Sequence, residues 1–389
     1  MKKEWPTKRL GDLFAFKNGR AFKKEEWTTN GLPIIRIQNL NNEDASFNYY
    51  AGQYNQDILV EPGDLLFSWS GTVGSSFGSH LWKGKPGVLN QHIFKIGLSE
   101  TIAKRYAFHG LRYITAEIEQ SVNGAVGLVH ITKERLNEFT LPIPPLAEQQ
   151  RIVGLLDEAF EGLATAKANA EKNLQNARAL FESHLQSLFT KRGLGWVETT
   201  IGEACVLKSG TTVSPMLEKP IGDVPYLKVA DMTFVGNADK ITTSSRFLCD
   251  EDVRESSIIP KGSTIFPKRG GAILTNKKRI TSVSICADLN IMAVIPSSQI
   301  DSELLYLYFI NVDMRKLGTG STIPQINNYD VAPLLISFPA AISEQRKIVA
   351  ELGELRKETQ RLARLYERKL AALEALKKSL LHQAFSGEL

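Results

Sequence analysis

Positions of one side-chain character recur every three or four residues from Ile152: Leu156, Ala159, Leu163, Ala166, Ala170, Leu174, Ala177, Phe181, His184 and Leu188. The same series returns from Ile348 as Leu352, Leu355, Thr359, Leu362, Tyr366, Leu370, Leu373, Lys377, Leu380 and Ala384. Alternating threes and fours, with a local run of fours, make a heptad seam carrying a stutter. Each stretch predicts a helix of about 42 residues, roughly 63 Å long. Pro144 and Pro145 stop what precedes the first helix, and Gly193 and Gly195 mark its end. Glu148 and Glu344 fall in the first turns, where a carboxylate suits the helix dipole. His184 is expected to pack on the seam. At Lys377 the apolar role is expected to pass to Leu376, as Leu180 could stand in for Phe181. An apolar stripe that long needs a partner, and the fitting one is the other copy within the same chain, run antiparallel. A seam used between two chains is the rival.

Elsewhere the pattern is that of strands. DILVEPGDLLFSWSG (57–71) and IIPKGSTIFPKRGGAIL (258–274) are β-prone runs broken by a turn. IIRIQNL, HIFKIGL, PYLKVADM and IMAVIP are further strand candidates, with helical stretches at 100–122 and 302–317. This is an α+β chain.

The chain is also one unit written twice. WPTKRLGDLFAFKNG (5–19) returns as WVETTIGEACVLKSG (196–210), and VEPGDLLFSWSG (60–71) as IPKGSTIFPKRG (259–270). LNQHIFKI (89–96) answers LNIMAVI (289–295), with Gln91 set on Asn290, and GAVGLVHI (124–131) answers GTGSTIPQI (318–326). EQQRIV at 148–153 becomes EQRKIV at 344–349. A period near half the chain is too long for a solenoid and implies two homologous domains, each followed by a long helix. The boundaries are 1–146 and 191–342 for the domains, with 147–190 and 343–389 as helical spacers. The framework positions match and the loops do not, as expected if two equivalent scaffolds read different things.

Bulk properties narrow the classes. The chain of 389 residues is 43% hydrophobic and 23% charged, with a net charge of +5. That charge permits a nucleic-acid partner without demanding one. No apolar run approaches the roughly 18 residues of a membrane span, and no signal peptide is recognisable, so a cytoplasmic location is expected. Cys205, Cys249 and Cys286 fit neither a disulfide framework nor a metal spacing and are expected to be small buried hydrophobes. No phosphate loop, dinucleotide fingerprint or histidine metal set is present. No catalytic residues, metal ligands or cofactor of the chain's own are expected.

Loops at equivalent places in both copies are the candidate contacts. The first pair holds Arg20, Lys23 and Lys24, then Thr211 and Thr212. The second holds Ser68, Trp69, Ser70 and Thr72, then Lys268, Arg269, Asn276, Lys277, Lys278 and Arg279. The third holds His130, then Thr322 and Gln325, with His80 and Gln91 nearby in the first copy. Arg and Gln can make paired hydrogen bonds to guanine and adenine edges, and glycines let backbone amides approach phosphates.

The duplicated order resembles the DNA specificity subunit of type I restriction-modification enzymes. The residues that carry it are Pro145, Glu148, Gln149, Ile152 and Val153, with Glu344, Gln345, Ile348 and Val349; Ala341 replaces the second proline. The openings Trp5, Leu10, Gly11, Asp12 and Trp196, Ile201, Gly202, Glu203 match too. The resemblance implies a pseudo-twofold molecule: two homologous α/β target-recognition heads joined by two long antiparallel helices forming a coiled coil. It implies a non-catalytic subunit whose heads each read half of a split, asymmetric site in double-stranded DNA. The helices would set the spacing and dock two methyltransferase (modification) subunits, and restriction and translocase subunits would complete the complex. S-adenosylmethionine, Mg and ATP are then expected only on those partners, and no membrane is involved. A two-headed protein-interaction scaffold without a DNA role is the alternative.

Overall fold

The repeat in sequence is a repeat in backbone bonding. The Leu10 amide donates to Phe139 O at 2.8 Å and the Ile201 amide to Leu334 O at 2.9 Å; Gly63 donates to Trp82 O at 2.7 Å and Gly262 to Thr281 O at 2.8 Å. The computed structural model describes residues 4–42, 45–72, 76–121, 128–190, 194–318 and 324–389, without the side chains of 119–121, 128 and 129. The chain forms two compact units, 1–171 with 367–389, and 172–366. No helix among the described residues is long and apolar enough to cross a membrane.

In the first unit four antiparallel strands run in the order Phe14–Asn18, Ile93–Leu98, Leu65–Ser68, Gly78–Leu81. The strand Leu65–Ser68 is buried throughout because its two faces serve two cores. Leu65 and Phe67 face a cluster with Phe16, Phe94, Tyr106 and Leu111, while Leu66 faces another with Ile34, Val60, Trp82 and Val88. Helix Lys104–Ser121 covers the first cluster. A smaller sheet, Tyr49–Tyr50, Leu32–Ile35, Gly87–Leu89 and Leu59–Val60, carries the second.

Two long helices give this unit opposite termini, the first its start and the second its finish. Helix Leu146–Thr190 contributes Ile152 and Leu156 to the first cluster; helix Ile342–Ser386 contributes Leu381, Ala384 and Phe385. The Arg151 guanidinium donates to Leu389 O at 2.9 Å, the Lys377 ammonium lies 6.0 Å from the Phe160 ring centre, and Lys167 pairs with Glu374 at 2.7 Å. Numbers rise on one helix as they fall on the other, so the pair is antiparallel.

The second unit orders its strands as Cys205–Ser209, Ile291–Pro296, Thr264–Pro267, Arg279–Thr281 and Lys240–Ile241. Phe266 and Ile265 divide between two cores as Phe67 and Leu66 do. Helix Ser302–Asn311 begins on Asp301, whose carboxylate accepts from the Glu303 and Leu304 amides at 3.0 and 3.3 Å. Here the end of the first long helix, through Leu185 and Phe189, meets the start of the second, through Ile348, Val349 and Leu352.

Several local expectations change. IIRIQNL and PYLKVADM are strands only as far as Ile35 and Leu227. Buried Asn39 and Asp231 then accept from the Arg36 and Lys228 amides at 3.1 and 2.8 Å, and these caps turn the chain into short helices. The GGAIL stretch forms a 3-10 turn, Gly270–Thr275, where the first unit has the strand Ser70–Thr72. The helix expected from 100 starts at Lys104, and the one expected to reach 317 stops at Asn311.

On the seam His184 is exposed and Leu185 takes its place, 1% exposed. Leu376 is 47% and Leu180 50% exposed, so neither substitutes for its neighbour. Phe181 packs in the cluster, and Lys377 keeps its seam position by lying over Phe160. Cys205 and Cys286 are buried; Cys249 is only partly so, and its sulfur accepts from Lys219 Nζ at 2.9 Å.

Candidate nucleic-acid interface

At one end of each main sheet the chain approaches itself too closely for any side chain. A Cβ on Gly19 would lie 2.1 Å from Asn90 O, and one on Gly210 the same distance from Asp288 O. The next amides, Arg20 and Thr211, donate to Leu89 O and Ala287 O, both at 2.8 Å. The middle strand then delivers Trp69 in one unit and Lys268 in the other. Trp69 N donates to His92 O at 3.2 Å and Ile131 N to Trp69 O at 3.0 Å; Lys268 N donates to Asn290 O at 2.8 Å and Ile326 N to Lys268 O at 2.9 Å. Position by position, Trp69 answers Lys268, His92 answers Asn290 and His130 answers Gln325.

This corrects the sequence pairing of Gln91 with Asn290. The two Leu-Asn strings are not equivalent: Leu89 stands where Ala287 stands, two residues before the second string. Backbone bonding sets that register, one residue away from the pairing of Gln91 with Asn290.

The shared frame carries unlike chemistry. In the first unit the Trp69 ring meets His92 and His130 edge to face, with centroids 5.1 and 4.7 Å away. Gln91 Nε2 lies 3.0 Å from His92 Nε2. Buried Trp69 Nε1 and His92 Nδ1 have no hydrogen-bond partner among the described residues. Gln91, Thr72 and His130 are exposed around them.

In the second unit the cluster is cationic and amidic. Lys268 is 8% exposed and donates to Ser209 Oγ at 2.7 Å. Burial, then neighbouring Arg269, holds its amine below the ordinary lysine value. Arg269 is exposed and bridged by backbone to Gln325. Gln325 donates to Asn327 Oδ1 at 2.7 Å, and Asn327 to Tyr329 Oη at 2.8 Å. Tyr329 is 69% exposed. His92, Asn290, Asn327 and Tyr329 were missed in the sequence. Correct register would have found the first two; nothing local marks the others.

Other candidates spend their polar groups on the fold. Arg20 donates to Tyr50 Oη at 2.7 Å, pairs with Glu26 and stacks over Phe22 and Tyr50. Ser68 is fully buried, donating to Ser70 O at 2.9 Å, and Ser70 is buried too. Asn276, at φ 52°, accepts from Lys278 Nζ and Met314 N, both at 2.9 Å. Burial pushes the Lys278 amine down to about 8, with smaller effects from Asp313 and Arg315. Arg279 donates to Asn237 O at 2.6 Å. Lys23, Lys24, Thr211 and Thr212 are exposed, Lys277 is half-buried, and Thr322 lies outside the described residues. His80 lines a separate cleft. Cys249, Glu251 and Asp252 bring ligand atoms within 4.8 Å of one another at a partly exposed site apart from this cluster.

The family described as the type I restriction modification DNA specificity domain matches residues 2–174 and again 194–368. The EcoBI specificity subunit of Escherichia coli, a type I restriction enzyme component, is 32% identical over 191 residues. That alignment takes in 48% of this chain and 39% of the relative's own length. The MjaVIII specificity subunit of Methanocaldococcus jannaschii is 23% identical, over 99% of this chain and 93% of the relative. Among solved structures, a chain from a study of type I R-M complex assembly and conformational transition superposes with a TM-score of 0.76 at 19% identity, covering 99% of this chain and 98% of that one. The HsdS subunit from Thermoanaerobacter tengcongensis gives 0.62 at 18% identity, over 99% and 97%.

Proposed function

Because the chain belongs to the type I restriction-modification DNA specificity domain family, with that domain in both halves, we propose that it is the sequence-reading subunit of such a system and carries no catalytic site. The specificity subunit recognises DNA through its two target-recognition domains. In this reading the Trp69, His92 and His130 cluster and the Lys268, Arg269, Asn290 and Gln325 cluster face the two halves of an asymmetric site. One observation supports this above the rest: the same backbone frame presents aromatic and imidazole groups in one unit and cationic and amide groups in the other. A shared frame suits a shared duplex geometry, and unlike side chains suit unlike base edges. Modification subunits that bind S-adenosylmethionine, and restriction and translocase subunits that use ATP and Mg, would supply the chemistry. The antiparallel helices are the docking surface for the modification subunits in this reading.

The test is an exchange of residues 1–146 for another recognition domain, read by methylation mapping of the host genome. One half of the methylated site is expected to change and the other to persist. Change in both halves, or in neither, rejects modular reading.

A further inference from the structure

The two units differ at the far edge of the main sheet. In the second unit the strand Arg279–Thr281 is joined in parallel by Lys240–Ile241. The Ile280 amide reaches Asp239 O at 3.4 Å and the Ser282 amide donates to Ile241 O at 2.9 Å. The added segment brings a carboxylate, Asp239, which Arg356 holds at 2.6 Å.

In the first unit the equivalent strand is Gly78–Leu81, since Leu81 faces Leu65 as Ile280 faces Thr264. It is the last strand of its sheet. The Trp82 amide turns inward to Asp64 O at 2.9 Å, as the Thr281 amide turns to Ser263 O at 2.9 Å. Leu81 and Lys83 therefore aim their amides outward, like Ile280 and Ser282, and no strand of the described chain pairs with that side. An uncovered edge is a template for another strand.

A cleft of about 1330 Å³ runs along this edge, within the first unit. His80, Lys83, Lys85, Arg112, Lys377 and Lys378 line it. One carboxylate, Glu374, is also in the lining, and Lys167 already holds it at 2.7 Å. Arg112 and Lys377 lie over aromatic rings: Arg112 is 5.4 Å from Phe108 and 5.7 Å from Phe160, and Lys377 is 6.0 Å from Phe160. Neither has a salt-bridge partner among the described residues. Burial first, and then Arg112, pulls the Lys377 amine below its ordinary value. Buried His80 Nε2, also without a hydrogen-bond partner among the described residues, adds a further polar group. Concentrated, partly desolvated positive charge favours an anionic occupant.

We propose that this cleft is a strand-addition site for an extended, acidic segment of a partner protein, laid beside Gly78–Leu81. Its carbonyls meet the Leu81 and Lys83 amides, and its carboxylates meet Arg112, Lys377 and Lys378. The second unit supplies the precedent with its own Lys240–Ile241 strand. A phosphodiester strand offers acceptors for the charges and the outward amides but no donors for the outward carbonyls of the same edge, which favours the peptide. This inference does not rest on the DNA reading.

The probe is a fluorescein-labelled peptide of alternating Glu and Val, titrated into the full chain. Parallel arms use an alternating Lys and Val peptide and hexathymidylate. The acidic peptide is expected to bind, and the Lys peptide to fail. The K377E/K378E variant should weaken acidic-peptide binding at least tenfold. In the unaltered protein, saturation should slow amide exchange at Leu81 and Lys83 at least tenfold. Unchanged affinity in the variant overturns the proposal, as do unprotected amides at saturation. So does hexathymidylate protecting those amides where the acidic peptide does not bind.

Discussion

Gln149 and Gln345 make the same three hydrogen bonds in the two halves of the chain. Gln149 Oε1 accepts from Ala103 N at 2.8 Å, and its Nε2 donates to Thr101 O and Pro144 O at 2.9 Å. Gln345 Oε1 accepts from Asp301 N at 2.7 Å, and its Nε2 donates to Gln299 O and Pro339 O at 2.8 Å. Both are fully buried. Each ties the first turn of a long helix to the loop before the domain's own helix, which explains why the same glutamine opens both spacers.

Replacing either glutamine by leucine strands one donor and two acceptors in the interior. With about 1–3 kcal/mol for each unsatisfied buried group and partial relaxation, we expect Gln149→Leu to destabilise by about 2–4 kcal/mol. Urea unfolding followed by circular dichroism measures it. An unshifted midpoint would show the latch to be dispensable.

Phe385 is the plug by which the end of the last helix enters the first unit. Its ring lies 5.0 Å from Tyr106 and 5.3 Å from Tyr113, and it is 5% exposed. Phe385→Ala is expected to cost about 3–5 kcal/mol through the cavity it leaves. The first unit should become protease-sensitive before the second; equal sensitivity of both units would contradict the assignment.

Arg269→Ala should weaken binding of the assembled complex to one half-site, and Trp69→Ala to the other. A lost contact to a base edge is worth about 1–3 kcal/mol, roughly fivefold to 150-fold in affinity. Competition with duplexes altered in one half-site at a time checks this. A loss spread evenly over both halves would remove these positions from base reading.

His80 and His109 give the first unit an acid limit. Burial lowers both below the usual histidine value; for His109 the Asp157 contact at 2.9 Å opposes this, and Arg112 and Arg105 add to it. The unfolded chain therefore binds their protons first. Stability is expected to be full above about pH 6.5 and to fall as pH drops below it. The urea midpoint at pH 5.5 should lie below that at pH 7.5, and His109→Gln should narrow the difference. A pH-independent gap between wild type and variant would refute it.

Much was legible in the residues themselves. Helical periodicity marked both spacers, since apolar spacing is a local property of the chain, and Ile152, Leu156 and Leu352 are buried where it placed them. The duplication of the opening strands survived in the backbone bonds at Gly19 and Gly210. The contact residues were only partly readable. Asn276, Lys278 and Arg279 look like an exposed basic run, yet Lys278 turns back onto Asn276, while Asn276 and Arg279 bond to Met314 N and Asn237 O, far along the chain where no local pattern reveals them.

The amino-acid order alone determined that there are two copies of an α+β unit and two long helices with a seam on each; that the seams pair within the chain, antiparallel, came from the contacts of Arg151, Phe160 and Lys167 with Leu389, Lys377 and Glu374. Only tertiary structure decided that Asn290 stands on His92, that Lys377 keeps the seam, and that Lys240–Ile241 covers an edge which its counterpart leaves open. Periodicity is written in neighbouring residues, whereas register and edge cover depend on which distant backbone groups find partners once the core has closed.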